Sequence, residues 1–196
     1  MPFAAAALMG LLLAAMPGAR SLERIDSAAE DIYDHAARRA WPAAERDLAR
    51  LHAACGRSKA AVCLDSRFPQ AEQRLAAAVK ARHPLEAMES ANALTRLLAP
   101  QIDRTQGGVG IAPLDPEVRA LELDARRRDF AAATRDLDTL RKGVAAVRCP
   151  RPALRAFDAP LARATQAATA RDAAGLRRAA TAMDEDVDRL ERACLR

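Results

Sequence analysis

Apolar residues recur along most of the chain at alternating steps of three and four residues, with polar and charged residues between them. This rhythm is typical of a helix that buries one stripe of its surface. A strict three-four alternation also favours nearly parallel helix packing, as in helical bundles. The clearest series are Leu22, Ile25, Ala29, Ile32 and Ala36; Trp41, Ala44, Leu48, Leu51 and Cys55; Phe130, Ala133, Leu137, Leu140, Val144 and Val147; Leu154, Phe157, Leu161, Ala164 and Ala168; and Ala173, Leu176, Ala180, Met183, Val187, Leu190 and Cys194.

Four short breaks, each followed by the start of a new helix, predict the tips of four helical hairpins. Pro42 and Pro84 suit a first helical turn, where the missing N–H is not needed. Asp129 and Asp172 are suited to cap the helices that follow them. The breaks are centred on Trp41, Pro84, Phe130 and Ala173.

The spacing of these tips indicates an internal duplication. The steps from tip to tip are 43, 46 and 43 residues, so the first and third tips are 89 residues apart, as are the second and fourth. At that shift, residues 36–51 align with residues 125–140, and nine of the sixteen positions are identical. A two-hairpin unit is therefore predicted to occur twice.

We predict an all-α protein with eight helices in four antiparallel hairpins, duplicated as two four-helix halves. The first half covers residues 22–103 and the second covers residues 116–196, with a Gly/Pro linker at residues 104–115. Each half could close as its own bundle, or the hairpins could stack as a short curved solenoid. The three-four rhythm and the long linker favour two bundles.

The linker contains two further signals. Gly107, Gly108 and Gly110 predict a flexible segment. Asp115 is expected to cap the fifth helix, with Pro116 in its first position.

Composition agrees with this fold class and narrows the choice of partners. The chain has 196 residues, of which 51% are hydrophobic and 3% aromatic, and alanine is abundant. The formal net charge is +5, and both signs alternate along the chain as they do on solvated helix faces. With so few aromatic side chains there is no stacking platform for single strands, so we expect no nucleic-acid partner.

The N-terminal residues predict export. Phe3–Met16 is an apolar run of 14 residues, which matches the core of a signal peptide and is shorter than the roughly 20 residues of a membrane span. Ala19 and Ser21 are small residues that place a cleavage before Leu22, so residues 1–21 are predicted to be a signal peptide. No Lys or Arg precedes the run, which leaves an uncleaved anchor and a cytosolic chain as alternatives. Cleavage would give a periplasmic or secreted protein without stable membrane insertion.

The four cysteines favour two disulfides, as expected in an oxidising compartment. Cys149 and Cys194 lie 22 and 23 residues on either side of the last predicted tip near position 171, so they meet at the open end of an antiparallel hairpin. Cys55 and Cys63 are then left to pair across a short loop.

The same region allows one alternative, a metal site. His52 and Cys55 stand three residues apart on one helical face and Cys63 follows, a donor set that suits Zn or Cu. A disulfide would use both sulfur atoms, so we expect no metal ligands there. The sequence has three histidines and no GxSxG or HExxH motif, so we also expect no catalytic residues and no other cofactor.

The pattern WxxAxxxLxxL at Trp41 and FxxAxxxLxxL at Phe130 resembles small exported bacterial helical-bundle proteins of unknown function. The hairpin step resembles tetratricopeptide-type helical repeats, although their WxxLGxxY signature is absent. These resemblances imply an architecture and no activity. We therefore expect a non-enzymatic protein with an interaction or scaffold role in the cell envelope and an unknown protein partner there. The alternative is a small-ligand or metal-binding helical bundle of the periplasm.

Overall fold

The computed structural model describes residues 19–57 and 61–195. Within those residues it contains eight helices of twelve residues or more and no strand, so the predicted all-α class with eight helices is confirmed. The apolar run at Phe3–Met16 lies outside the described residues. The eight helices are α1 (Ala19–Ala37), α2 (Trp41–Arg57), α3 (Arg67–Ala81), α4 (Pro84–Thr105), α5 (Leu114–Arg127), α6 (Phe130–Ala146), α7 (Asp158–Thr169) and α8 (Ala173–Cys194).

Shorter helical turns accompany two of the connections. Ala61–Leu64 lies between α2 and α3. Arg151–Leu154 and the 3-10 turn Arg155–Phe157 lie between α6 and α7. Within residues 19–57 and 61–195, every helix is too short or too polar to cross a bilayer.

The chain divides into two compact units, of which the first ends at Thr105 and the second begins at Gln106. In the first unit, α1 packs against α2 and α4, and α3 packs against α4. In the second, α5 packs against α6 and α8, and α7 packs against α8 and α6. Because the first and last long helices of each unit contact each other, each unit closes on itself as a bundle does.

The apolar stripes seen in the sequence supply the core of each unit. In the first unit, Ile25, Ile32, Leu51, Leu75 and Leu98 are fully buried. The core of the second unit contains Leu121, Leu137, Leu140, Phe157, Leu176 and Met183, all buried. Burial of one stripe per helix is the main contribution to the stability of such units.

The four predicted tips share one backbone conformation. At each tip an arginine adopts a left-handed conformation, with φ between 55° and 58°. Its N–H donates to a carbonyl three residues back, and the next N–H donates to a carbonyl five residues back, at 2.8–3.3 Å. This is the Schellman motif that ends many helices, and glycine is its usual residue. The arginines are Arg39, Arg82, Arg128 and Arg171.

The next helices begin at these tips mostly as the sequence predicts. Pro42 and Pro84 lie in the first turns of α2 and α4. The carboxylate of Asp129 accepts a hydrogen bond from the N–H of Ala132 at 2.9 Å, and that of Asp172 accepts one from Gly175 at 2.9 Å. Both predicted caps are therefore confirmed.

The prediction that Asp115 caps α5 is wrong. The helix begins at Leu114, two residues before the predicted first position at Pro116, so Asp115 lies in the first turn. Its carboxylate is 3.1 Å from the guanidinium of Arg119, four residues later. An acid in the first turn still interacts favourably with the helix dipole.

The glycines before α5 lie in a segment that is held within the second unit, although we predicted a flexible segment there. Gly107, Gly108 and Gly110 adopt positive φ values of 85°, 66° and 90°. The Arg148 side chain donates to the carbonyls of Gly107 and Gly108 at 2.8 and 3.0 Å. Ile111 is fully buried. The positive φ values let the chain turn while these side-chain bonds and the buried Ile111 anchor it.

Candidate binding groove

A groove of about 510 Å³ lies between α1 and α2 in the first unit. The α1 side contributes Glu23, Arg24 and Ser27. The α2 side contributes the larger part, on one helical face from Arg46 to Arg57. The two helices are joined by a three-residue connection, so they run side by side in opposite directions and form both walls.

Positive charge dominates the lining of this groove, which holds four arginines and one glutamate. Arg24, Arg46 and Arg57 form no ion pair with any residue that the structure describes. A guanidinium is charged at every physiological pH and presents donors in a planar fork. The groove therefore offers three cations to a partner.

The fourth arginine is held in place. Arg50 donates to Asp47 at 2.7 Å and to Asp31 at 3.0 Å. Asp47 is 4% exposed and also lies 2.7 Å from Nδ1 of His35. Because a buried carboxylate must keep its partners, this cluster fixes α1 against α2 beside the groove.

The floor of the groove consists of short side chains. Ala49, Ala53 and Ala54 line it from α2, and Ser27 lines it from α1. Ala53 and Ala54 are half-buried, whereas the four arginines are exposed, so the groove is apolar in its centre and cationic along its rim.

A pair of acids lies between the first two helices of the second unit. Asp124 and Asp136 lie 89 positions after His35 and Asp47. Asp124 is 5% exposed, its carboxyl group lies beside that of Asp136, and its Oδ2 has no hydrogen-bond partner among the described residues. Burial and the nearby charges of Asp136 and Asp129 raise the pKa of Asp124 to about 7, against a smaller opposing effect of Arg127.

The cysteines pair as the sequence analysis anticipated. Cys55 is bonded to Cys63, with a Cα–Cα distance of 5.8 Å. Cys149 is bonded to Cys194, with a Cα–Cα distance of 5.7 Å. The second bond joins the segment after α6 to the end of α8.

The alternative metal site at His52, Cys55 and Cys63 loses its sulfur ligands to this disulfide. The His52 imidazole is 80% exposed, and its Nδ1 lies 3.0 Å from a carboxylate oxygen of Glu72. Across the part of the chain that the structure describes, no three His, Cys, Asp or Glu side chains are grouped so that they could hold a metal ion.

One acid in α8 departs from what the sequence suggests. The sequence places four acids close together in α8, at positions 184, 185, 186 and 188, and three of them are exposed. Asp186 is instead buried, at 3% exposure, and accepts a hydrogen bond from Arg189. Burial raises the pKa of its carboxyl group.

Two other grooves are present among the described residues. One, of about 420 Å³, lies between α6 and α7 and is lined by Arg141, Arg151, Arg155 and Asp158 among others. Arg141 there is paired with Asp138 at 2.7 Å. The other, of about 540 Å³, lies between α3 and α4 and carries mixed charge, with His83 beside Glu86 at 3.2 Å.

Comparison of the chain with protein-family models, with curated proteins and with solved structures finds no match to any of them. The resemblance to exported helical bundles and helical repeats thus stays a prediction from sequence.

The arginine groove is the feature that sequence analysis missed. Its signal is present in the sequence, because Arg46, Arg50 and Arg57 fall on one face of α2 with Ala49 and Ala53 between them. Acidic and basic residues alternate along the chain, so the sequence alone does not show which arginines have no acidic partner in the fold.

Proposed function

We propose that this protein is a non-enzymatic interaction protein of the cell envelope and that it binds a partner protein through the groove between α1 and α2. The observation that carries this proposal is the convergence of Arg24, Arg46 and Arg57, each without an ion pair among the described residues, on one groove. Charge of one sign beside a small apolar floor is a complementary surface for an acidic partner.

Two features support a location outside the cytoplasm. The two disulfides suit an oxidising compartment. Leu22, which would begin the mature chain, is also the first residue of α1 described as buried, at 5% exposure. Cleavage before Leu22 would thus remove none of the buried side chains that the structure describes.

The lining of the groove supports binding rather than catalysis. Among its residues, Ser27 is the one hydroxyl and Glu23 the one acid, and the lining holds no His or Cys. A nucleophile with a neighbouring base is thus not assembled by these side chains. A small-ligand bundle would need an enclosed interior site, whereas this groove is open along the helices.

Photo-crosslinking in cells tests the proposal. A photo-reactive amino acid replaces Ala53 in the groove, and a matched variant carries it at Lys142, the exposed position 89 residues later on α6. We expect a discrete envelope-protein adduct from position 53 that is absent from position 142 and disappears when Arg24 and Arg57 are changed to Glu. Equal labelling at both positions, or an adduct that survives the charge reversal, would contradict the proposal.

A further inference from the structure

We infer that the occupant of this groove is an acidic amphipathic α-helix of the partner protein, which lays small side chains on the alanine floor and carboxylates against Arg24, Arg46 and Arg57. This inference rests on the proposed function and adds the chemistry of the partner.

The length of the groove fits a helix. Arg46 and Arg57 are eleven residues apart on α2, which corresponds to about 16 Å along the helix axis. This is about three turns of a partner helix lying along the groove. Over that distance an α-helix repeats its side chains on one face every three or four residues.

The floor of the groove fits a helix as well. Ala49 and Ala53 follow each other by one turn, and Ser27 faces the groove from α1. Short side chains on both walls let a third backbone approach closely.

The rim of the groove fits carboxylates. Arg24 lies on one wall, and Arg46 and Arg57 lie on the other, so a helix between them meets guanidinium groups on both of its flanks. Guanidinium groups bind carboxylates through charge-assisted, two-pronged hydrogen bonds. Glu23 is the one acid of the lining. It would repel a carboxylate of the partner that is placed next to it.

Other anions match the groove less well. A free phosphate would contact the arginines but leave the methyl groups of Ala49, Ala53 and Ala54 uncovered. A lipid surface is broad and flat, and it would meet the rim before the floor. A helix with acids on its flanks and small residues on its face covers both parts of the groove.

Fluorescence anisotropy tests this inference with a defined probe. The probe is a labelled 18-residue alanine-based helical peptide with Glu on the two flanks of one face. A matched peptide carries Gln in place of Glu, and a second carries Lys. The proteins are the full chain, the Arg24→Glu/Arg57→Glu variant and a control variant, Arg135→Glu, which changes an exposed arginine at the position 89 residues after Arg46.

We expect the Glu peptide to bind the unaltered protein and to bind the double variant at least about tenfold more weakly. The Lys peptide should bind the double variant better than it binds the unaltered protein. The Arg135→Glu variant should bind the Glu peptide and the Lys peptide as the unaltered protein does. Circular dichroism of each variant checks that the helices remain folded.

Three results would overturn the inference. These are equal binding of the Gln and Glu peptides, equal weakening by Arg135→Glu, and binding of tripolyphosphate or of phosphatidylglycerol vesicles without binding of the Glu peptide. If the peptide fails while the crosslink at position 53 persists, the partner is a protein that presents another structure, and the proposed function stands. If both fail, the proposed function fails with the inference.

Discussion

The carboxyl group of Asp124 lies beside that of Asp136, at the two positions that follow His35 and Asp47 by 89 residues. In the first unit an imidazole meets a buried carboxylate at 2.7 Å. In the second unit two carboxyl groups meet instead. Between its first two helices, the first unit thus holds an imidazole beside a carboxylate, and the second unit holds two carboxyl groups side by side.

This difference predicts a pH dependence of stability that belongs to the second unit. The pKa of Asp124 is raised from 3.8 to about 7 in the folded chain, so between those pH values the folded state binds more protons than the unfolded state. The free energy of unfolding should therefore fall as the pH rises from about 4 to about 7. Asp124→Asn should remove this loss and stabilise the protein at pH 8 by about 1–2 kcal/mol.

Urea unfolding followed by circular dichroism at several pH values measures this effect. Glu45→Gln, which changes an exposed acid in α2, serves as the control and should retain the pH dependence. If Asp124→Asn keeps the full pH dependence, the titrating group is another one.

The tips of the hairpins predict a gain in stability from glycine. Arg39 and Arg128 have φ values of 57° and 58°, a region where a side chain costs about 1 kcal/mol or more and glycine costs little. Arg39→Gly and Arg128→Gly should each stabilise the protein by about 0.5–1 kcal/mol, as measured by thermal or urea unfolding. Arg39→Ala separates the backbone effect from loss of the side chain and should be close to neutral. A loss of stability with glycine would mean that the arginine side chain itself stabilises the tip.

Trp41 predicts a large loss of stability when its ring is removed. The side chain begins α2 and is 8% exposed, so Trp41→Ala should lower the free energy of unfolding by about 3–5 kcal/mol. Trp41→Phe keeps a large ring and should cost less. A change of less than about half a kcal/mol for Trp41→Ala would show that the ring contributes no packing.

The two disulfides should contribute unequally. Cys149 and Cys194 are 45 residues apart in sequence, and Cys55 and Cys63 are eight apart. Because the longer loop restricts the unfolded chain more, Cys149→Ala/Cys194→Ala should cost about 4 kcal/mol and Cys55→Ala/Cys63→Ala about 2.5 kcal/mol. Equilibrium unfolding of the two double variants compares them directly, and the reverse order would contradict the loop-length explanation.

Local signals account for what could be predicted from the sequence. Helix starts and caps depend on residues that are a few positions apart, as at Trp41, Phe130, Asp129 and Asp172. The spacing of the apolar residues determines which face of each helix is buried. The cysteine partners followed from the distance to a hairpin tip. The closure of each unit, by contrast, depends on contacts between its first and last helices.

The features that were missed depend on neighbours that are distant in sequence. In the sequence, Asp186 is one of four neighbouring acids, and its burial depends on how α8 packs. The role of Asp115 depends on the residue at which α5 begins. The same holds for Arg24 and Arg57, which lie 33 positions apart and share a groove because α1 and α2 pack side by side.

Export is the claim on which both the disulfides and the envelope partner depend. It is tested most directly by the intact mass of the full chain, expressed with residues 1–21 and purified without reductant. We predict a mass that begins at Leu22 and lies about 4 Da below that of the reduced chain, since two disulfides remove four hydrogen atoms. A mass that retains Met1 with all four thiols reduced would contradict export.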